Sequence, residues 1–159
     1  MSILLGLVVL IALATAGFAV YARVAPIDAA RQHKDPLTAT RAETPNTLLL
    51  AADRPEADGP APVWDASPEA LMEAFDAVAL GAERTTRLAG SVADLHATYL
   101  QRSLLMGYPD FVSVRALPAE GGGATLALYS RSKYGRSDLG VNAARISAWL
   151  DRVELPRLR

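Results

Sequence analysis

The feature that most constrains this chain is an uninterrupted apolar stretch near its first residue. Residues 3–22 contain no charged side chain and no proline, and Thr15 is the only Ser or Thr among them. A helix of this length extends roughly 30 Å, which matches the hydrocarbon core of a bilayer. The buried helix of a soluble protein keeps a polar face, and these residues have none. We therefore predict that residues 1–22 form a transmembrane or signal segment.

Two features distinguish a permanent anchor from a cleaved signal peptide. The Ala-Thr-Ala sequence at residues 14–16 has the small side chains of a cleavage site. A signal peptide also begins with basic residues, whereas Met1 and Ser2 supply only the α-amino group. Phe18 and Tyr21 lie where aromatic side chains collect at a membrane surface. We expect an uncleaved, single-pass anchor.

Charged residues are segregated along the chain, although the formal net charge is only −1. Residues 1–42 carry a net charge of +2, residues 43–83 carry −8 and residues 84–159 carry +5. The acidic and basic parts can attract each other within one domain, or they can face a partner, and both interpretations stay open. Because no basic field covers the whole chain, we expect no nucleic-acid binding.

The segment after the span is rich in proline and bears on topology. Residues 23–62 contain six prolines and no sustained helical period, which predicts an extended linker. Within it, the run Thr-Leu-Leu-Leu-Ala at residues 47–51 is too apolar for solvent, so we expect an edge strand or a segment on the domain or membrane surface. Lys and Arg follow the span and none precedes it, which by itself places the remaining chain in the cytoplasm.

A folded domain is predicted over residues 63–155. Its first helix starts with Ser67 as a hydroxyl cap, followed by Pro68 and Glu69 at the first helical positions. Gly81 ends the apolar pattern of this helix.

Beyond that helix the apolar period changes to two, which is typical of half-buried strands. The strands are predicted over residues 85–88, 96–102, 111–116 and 124–130. The triple glycine at residues 121–123 predicts a hairpin turn and not a phosphate-binding loop, because no Lys-Ser/Thr pair and no helix follow it.

A second amphipathic helix ends the domain, and residues 156–159 form a short tail. Its apolar residues are Leu139, Ala143, Ile146, Trp149, Leu150 and Val153. The order of elements predicts an α+β fold: an N-terminal transmembrane helix, then an antiparallel sheet of about four strands with two helices packed on one face. We expect Trp149 and Ile146 to pack on the sheet beside Leu126 and Leu128.

The segment between the last strand and the last helix carries the most specific motif. Residues 129–146 read Tyr-Ser-Arg-Ser-Lys-Tyr-Gly-Arg-Ser-Asp-Leu-Gly-Val-Asn-Ala-Ala-Arg-Ile. This resembles the signature of a bacterial and plastid family known as domain of unknown function 1499, with weaker similarity over residues 44–153. The resemblance implies an α+β domain that is often membrane-attached or exported, without an established activity, substrate or cofactor. Many members have a Cys after Ser-Pro-Asn, whereas this chain has Thr-Pro-Asn at residues 44–46 and no Cys.

The resemblance also bears on location. Because relatives are exported, it favours a soluble domain on the periplasmic side of a bacterial inner membrane, against the count of basic residues.

The same segment concentrates positive charge. Arg131, Lys133, Arg136 and Arg145 are opposed only by Asp138, a local net charge of +3. Because they precede or begin a helix whose free amides also favour anions, they can form a site for a small anion, a lipid headgroup or a partner carboxylate.

A structural role is the alternative for this basic loop. Ser137, Asp138 or Asn142 would cap the helix, and the arginines would pair with the acidic middle segment. Strand alternation puts Arg131 and Lys133 on the face opposite Leu126 and Leu128, so we expect both to be exposed. We expect Arg136, beside two of the candidate caps, to be structural.

Residues for enzyme chemistry are sparse. The chain has no Gly-x-Ser-x-Gly elbow and no telling pair of carboxylates, and without Cys it has no disulfide, thiolate zinc site or cysteine nucleophile. His33 has no partner at a metal-ligand spacing, and His96 is interpreted as a surface or hydrogen-bonded strand residue. We predict no enzyme activity, no cofactor and no metal.

Two functional hypotheses follow. The first is a non-enzymatic, membrane-anchored interaction module, an accessory subunit or assembly factor of a larger inner-membrane complex with membrane-protein partners. The span favours this hypothesis because Gly6, Gly17 and several alanines permit close helix packing, although such residues are also common in spans. The alternative is a domain that binds a small anion or an anionic lipid headgroup through residues 131–145.

Overall fold

The architecture was taken from a computed structural model, which describes residues 2–44, 46–134 and 140–158. Within these residues the chain forms four helices and six strands. In chain order they are α1 (Ser2–Val24), α2 (Ala29–Gln32), β1 (Thr47–Leu50), β2 (Val63–Trp64), α3 (Pro68–Leu80), β3 (Thr85–Ser91), β4 (His96–Arg102), β5 (Pro109–Pro118), β6 (Ala124–Ser132) and α4 (Val141–Asp151).

The first turns of helix α1 stand apart from the rest of the chain, and its last turns contact the domain. Residues Ile3–Val24 are long enough and apolar enough to cross a membrane, a property that signal sequences share. Their large side chains are exposed along most of the helix, so they are not part of the apolar core of the domain. The predicted N-terminal apolar helix is confirmed.

The sheet is antiparallel and has six strands rather than about four. Strands β3, β4, β5 and β6 lie side by side in chain order. Strands β1 and β2 pair with two different parts of the other edge of β6. The apolar run at residues 47–51 does contribute an edge strand, through Leu49 opposite Tyr129. The estimate of about four strands was wrong because β2 has two residues and β1 has four, which is too short to display a period of two.

Helices α3 and α4 cover one face of the sheet. Ser67 caps α3 by accepting a hydrogen bond from the amide of Ala70, and Gly81 ends the helix, as predicted. Ile146 and Trp149 of α4 are buried in one apolar cluster with Leu126 and Leu128 of β6. The prediction of two helices on one face of an antiparallel sheet is confirmed.

The opposite face of the sheet is covered by the chain that follows α1. Residues 25–44 cross this face, and the short helix α2 in this segment is capped by Asp28. Gln32, His33 and Lys34 each make hydrogen bonds to strands β4 or β6. The structure thus differs from an extended linker. The contacts are made by backbone carbonyls and polar side chains, which produce no apolar period in the sequence.

Candidate functional site

Of the four basic residues predicted as one site, the structure describes Arg131, Lys133 and Arg145, and it places these three apart. Arg131 is 8% exposed, and its NH1 group donates to Ser113 Oγ at 3.2 Å. The guanidinium lies over the rings of Phe111 and Tyr129, 5.4 and 5.1 Å from their centroids. Its other terminal nitrogen donates to the carbonyl of Gln32.

The predicted exposure of Arg131 was therefore wrong. Strand alternation does place it opposite Leu128, but residues 25–44 cover that face. Burial lowers the pKa of Arg131 to about 10, because a charged guanidinium loses hydration there.

Arg145 lies on the helical side of the sheet, in an ion pair. Its NH2 group is 2.5 Å from Asp110 Oδ2, and both side chains are about nine-tenths buried. The partner lies in β5 and not in the acidic middle segment. Arg145 also donates to Asn142 Oδ1, which accepts from Ser130 Oγ at 2.6 Å. These contacts fix the start of α4 against β6, a structural role.

The remaining basic residues lie at the end of β6. Lys133 is exposed, as expected, and its Nζ atom is 5.3 Å from the centroid of the Tyr134 ring. Arg136, together with the candidate caps Ser137 and Asp138, lies outside the described residues, so its structural role stays a prediction.

Tyr134 belongs to an aromatic cluster near the end of α1, and Lys133 lies beside it. The rings of Tyr134 and Tyr108 lie 5.7 and 5.8 Å from the ring of Phe18, and 5.5 Å from each other. Phe18 also contacts Tyr21, one turn further along the helix. The apolar helix and two domain segments that are distant in sequence thus meet at one place.

Backbone acceptors strengthen this contact. Arg102 donates through NH1 to the carbonyl of Ala22 at 2.8 Å, and Arg23 donates through NH2 to the carbonyl of Leu105 at 2.6 Å. Carbonyls in the last turn of a helix have no partner within the helix, so Arg102 satisfies one of them. Gly107 is required nearby, since its φ is +68° and a Cβ atom would lie 2.4 Å from Arg23 Cγ.

We call this region the anchor junction: the last turns of α1, the β4–β5 turn at residues 103–108, and Lys133 with Tyr134. Its turn exposes two large apolar side chains, Leu104 at 68% and Leu105 at 81%. Sequence reasoning missed it, although the run Leu-Leu-Met at residues 104–106 in a turn was a signal. A turn in a water-soluble domain is ordinarily polar.

A cluster of polar side chains lies between the sheet and the chain that follows α1. The rings of His33 and His96 stack with centroids 4.0 Å apart, and His33 Nδ1 is hydrogen-bonded to Thr98 Oγ1 at 2.9 Å. The hydroxyl of Thr98 is hydrogen-bonded to the hydroxyl of Ser113, and Ser113 also accepts a hydrogen bond from Arg131. Burial lowers the pKa of His33, and the neighbouring His96 and Arg115 lower it further.

This row of polar groups supports the fold and does not form a catalytic triad. Asp35 pairs with Arg115 at 3.1 Å and does not orient a histidine in the described residues. Among the residues that the structure describes, no group of three His, Asp or Glu could hold a metal ion. The hydrogen-bonded role predicted for His96 is confirmed by its bond to the carbonyl of Lys34.

Comparison with known proteins adds one finding. A family model described as a protein of unknown function (DUF1499) matches residues 37–153. No curated protein and no solved structure matches the chain. The match begins within the predicted linker, in the segment that covers the second face of the sheet.

Proposed function

This chain belongs to the DUF1499 family, which brings no activity with it, and we propose that it is a non-enzymatic, membrane-anchored interaction module whose domain is seated on the bilayer by its own anchor. The observation that carries the proposal is the hydrogen bond from Arg102 in the sheet to the carbonyl of Ala22 in the last turn of α1. This contact joins the domain to the end of the helix that we propose crosses the membrane.

The anchor junction also has the chemistry of a membrane surface. Phe18 precedes the end of α1 by six residues, or about 9 Å along the helix axis. Tyr108 and Tyr134 contact Phe18 and so lie at the depth where aromatic side chains collect in membrane proteins. Leu104 and Leu105 are exposed at the same end of the domain, where lipid would shield them.

The junction favours a retained anchor over a cleaved signal. Cleavage after residue 16 would leave an apolar remnant of under three turns, which is too short to persist as a helix in water. The domain uses a carbonyl and an aromatic ring of this remnant, Ala22 and Phe18, so their contacts depend on an intact helix.

The partner surface of the module is the anchor itself. Gly6 and Gly17 have no atoms within 4 Å of the place of a Cβ atom, and most side chains of the helix are exposed. Small residues permit the close approach of a second transmembrane helix. This supports the role of an accessory subunit or assembly factor of a larger complex in a bacterial inner membrane.

The seating of the domain is tested with single-cysteine variants, for which the chain gives a clean background because it contains no Cys. Leu105→Cys and Glu120→Cys are each labelled with an environment-sensitive fluorophore in liposomes that contain brominated lipid. Residue 120 follows β5, whose length of ten residues separates the two positions by about 30 Å. We expect strong quenching at residue 105 and little at residue 120. Equal quenching, or none, would contradict the proposal.

The partner role is tested by purification of the full chain in mild detergent with mass spectrometry of what co-elutes. We expect stoichiometric membrane proteins, and we expect Gly17→Leu to lose them while Leu105→Ser retains them. A chain that elutes alone under all conditions would exclude the accessory-subunit role.

Topology is tested by reporter fusions after residue 159. We propose a periplasmic domain, so an alkaline phosphatase fusion should be active. An inactive phosphatase together with a fluorescent cytoplasmic reporter would place the domain in the cytoplasm.

A further inference from the structure

A cavity of about 470 Å³ opens at the anchor junction, between the end of α1 and the adjoining ends of β3 and β4. Three arginines, Arg23, Arg84 and Arg102, contribute to its wall. Leu100 and Leu104 add apolar surface. None of the described residues within 131–145 lines this cavity.

The charge of this cavity is poorly neutralised by the protein. In the described part of the chain, Arg23 and Arg102 make no ion pair, and their guanidinium groups donate to backbone carbonyls. A carbonyl holds a guanidinium in place but does not cancel its charge. Arg84 pairs with Glu83, whose side chain is 83% exposed, so this pair is weak and open to exchange.

The position and the lining of the cavity indicate which class of ligand it would bind. Arg23 directly follows the apolar residues of α1, at the level where lipid phosphates lie if α1 spans the bilayer. The wall combines guanidinium groups, which suit phosphate oxygens, with leucines, which suit the first carbons of an acyl chain. A water-soluble phosphate would need only the first of these.

We propose that this cavity binds the phosphate of an anionic phospholipid headgroup, with Arg23, Arg84 and Arg102 as its cationic contacts. The inference rests on the proposed seating of the domain at the bilayer. It names a specific lipid contact at the anchor junction, so that the anionic lipid fixes the angle of the domain as well as its distance from the membrane.

The test uses the full chain in nanodiscs of phosphatidylcholine with about one-fifth phosphatidylglycerol, released into mild detergent and examined by native mass spectrometry. Arg84→Gln is the main variant, since Arg84 is exposed and makes no bond to Ala22. The substitution removes the bond from Arg84 Nε to the carbonyl of Arg102, but it does not remove either partner of the bond from Arg102 NH1 to the carbonyl of Ala22. Arg152→Gln is the matched control, because it removes one exposed charge at the end of α4, away from the cavity.

We expect the wild-type chain to retain phosphatidylglycerol in preference to phosphatidylcholine. Arg84→Gln should weaken this retention about tenfold, as expected for loss of a charge-assisted contact, and Arg152→Gln should leave it unchanged. Equal loss in both variants, or no lipid preference, would overturn the inference.

A second arm distinguishes a lipid from free phosphate. Inorganic phosphate at millimolar concentration should not displace the retained phosphatidylglycerol, since it cannot use the apolar wall. Displacement, or a rise in melting temperature with phosphate alone that Arg84→Gln abolishes, would identify a site for soluble phosphate and contradict the headgroup assignment. The quenching at residue 105 is read with labelled Leu105→Cys in nanodiscs of the same headgroup composition that are made with brominated phosphatidylcholine. Quenching without lipid preference refutes the headgroup site alone, and absent quenching refutes the seating on which it rests.

Discussion

The two faces of the sheet are held by different forces. On the helical face, Phe75, Tyr99 and Trp149 pack together in an apolar cluster, with ring centroids 5.9 to 6.3 Å apart and the edge-to-face contacts made by Trp149. On the opposite face, residues 25–44 are joined to the sheet by hydrogen bonds and a ring contact, from Arg131 to the carbonyl of Gln32 and from His33 to Thr98 and His96. The first face holds the main apolar cluster, whereas the second also binds the chain that leads to the anchor.

This difference assigns separate tasks to the two faces. Burial of large apolar side chains is the main source of folding free energy, so the helical face should determine global stability. Hydrogen bonds contribute less each, so the second face should open first and should decide how firmly the anchor is attached to the domain.

The largest expected effect is on the helical face. Trp149 is 3% exposed, and Trp149→Ala should lower the free energy of unfolding by about 3–5 kcal/mol, because it leaves a cavity between α4 and the sheet. Val141→Ala, at an exposed position of the same helix, should change it by less than about 0.5 kcal/mol. Urea denaturation measures both. A loss below about 1 kcal/mol for Trp149→Ala would show that this face is not the core.

A smaller effect is expected on the second face. Arg131→Gln should cost about 1–3 kcal/mol, because Ser113 and the carbonyl of Gln32 lose a buried donor. Lys133→Gln, two residues further and exposed, should stay within about 0.5 kcal/mol.

Limited trypsin digestion gives the local readout for the same pair. Arg131→Gln should speed cleavage within residues 25–46, and Lys133→Gln should not. A greater stability loss for Lys133→Gln than for Arg131→Gln would reverse the roles assigned to them.

The smallest expected effect is on pH dependence. Burial, with help from His96 and Arg115, lowers the pKa of His33 in the folded chain, while Asp94 and Asp35 act in the opposite direction. The unfolded chain therefore takes up a proton first as the pH falls through about 6.5. The stability that neutral His33 contributes is complete above that pH and is lost below it.

We expect the wild-type melting temperature to fall by about 1–3 °C more than that of His33→Asn between pH 7.5 and pH 5.5. Differential scanning fluorimetry measures this difference. A wild-type chain that becomes more stable than the variant on acidification would contradict the assigned environment of His33.

Sequence reasoning succeeded where side-chain periodicity was long enough to recognise. Helix α3, with Ser67 and Gly81 at its ends, and the strands β3 to β6 were predicted close to their limits, because amphipathic packing leaves a regular pattern. The same pattern predicted the burial of Trp149. It could not reveal β2, which has only two residues.

The candidate site was less accessible to such reasoning. Alternation correctly placed Arg131 away from Leu128, but exposure depends on whether a distant segment covers that face. Arg102 and Arg23 donate to backbone carbonyls at the anchor junction. Every residue of the chain carries such an acceptor, so the sequence does not show which one is used. The pairing therefore depends on tertiary structure and has no sequence motif.

The most direct test of the central claim, that the domain is docked on its own anchor, is a chemical cross-link between them. Phe18→Cys with Tyr108→Cys replaces two residues whose rings are in contact, in a chain that otherwise has no Cys. A short bismaleimide is used because a disulfide would need Cβ atoms about 4 Å apart. In membranes, we predict that it joins this pair within one chain, so that mass spectrometry of the digested chain finds the two peptides linked, while Phe18→Cys with Glu120→Cys gives only singly reacted peptides. Singly reacted peptides from both pairs would contradict the docked arrangement.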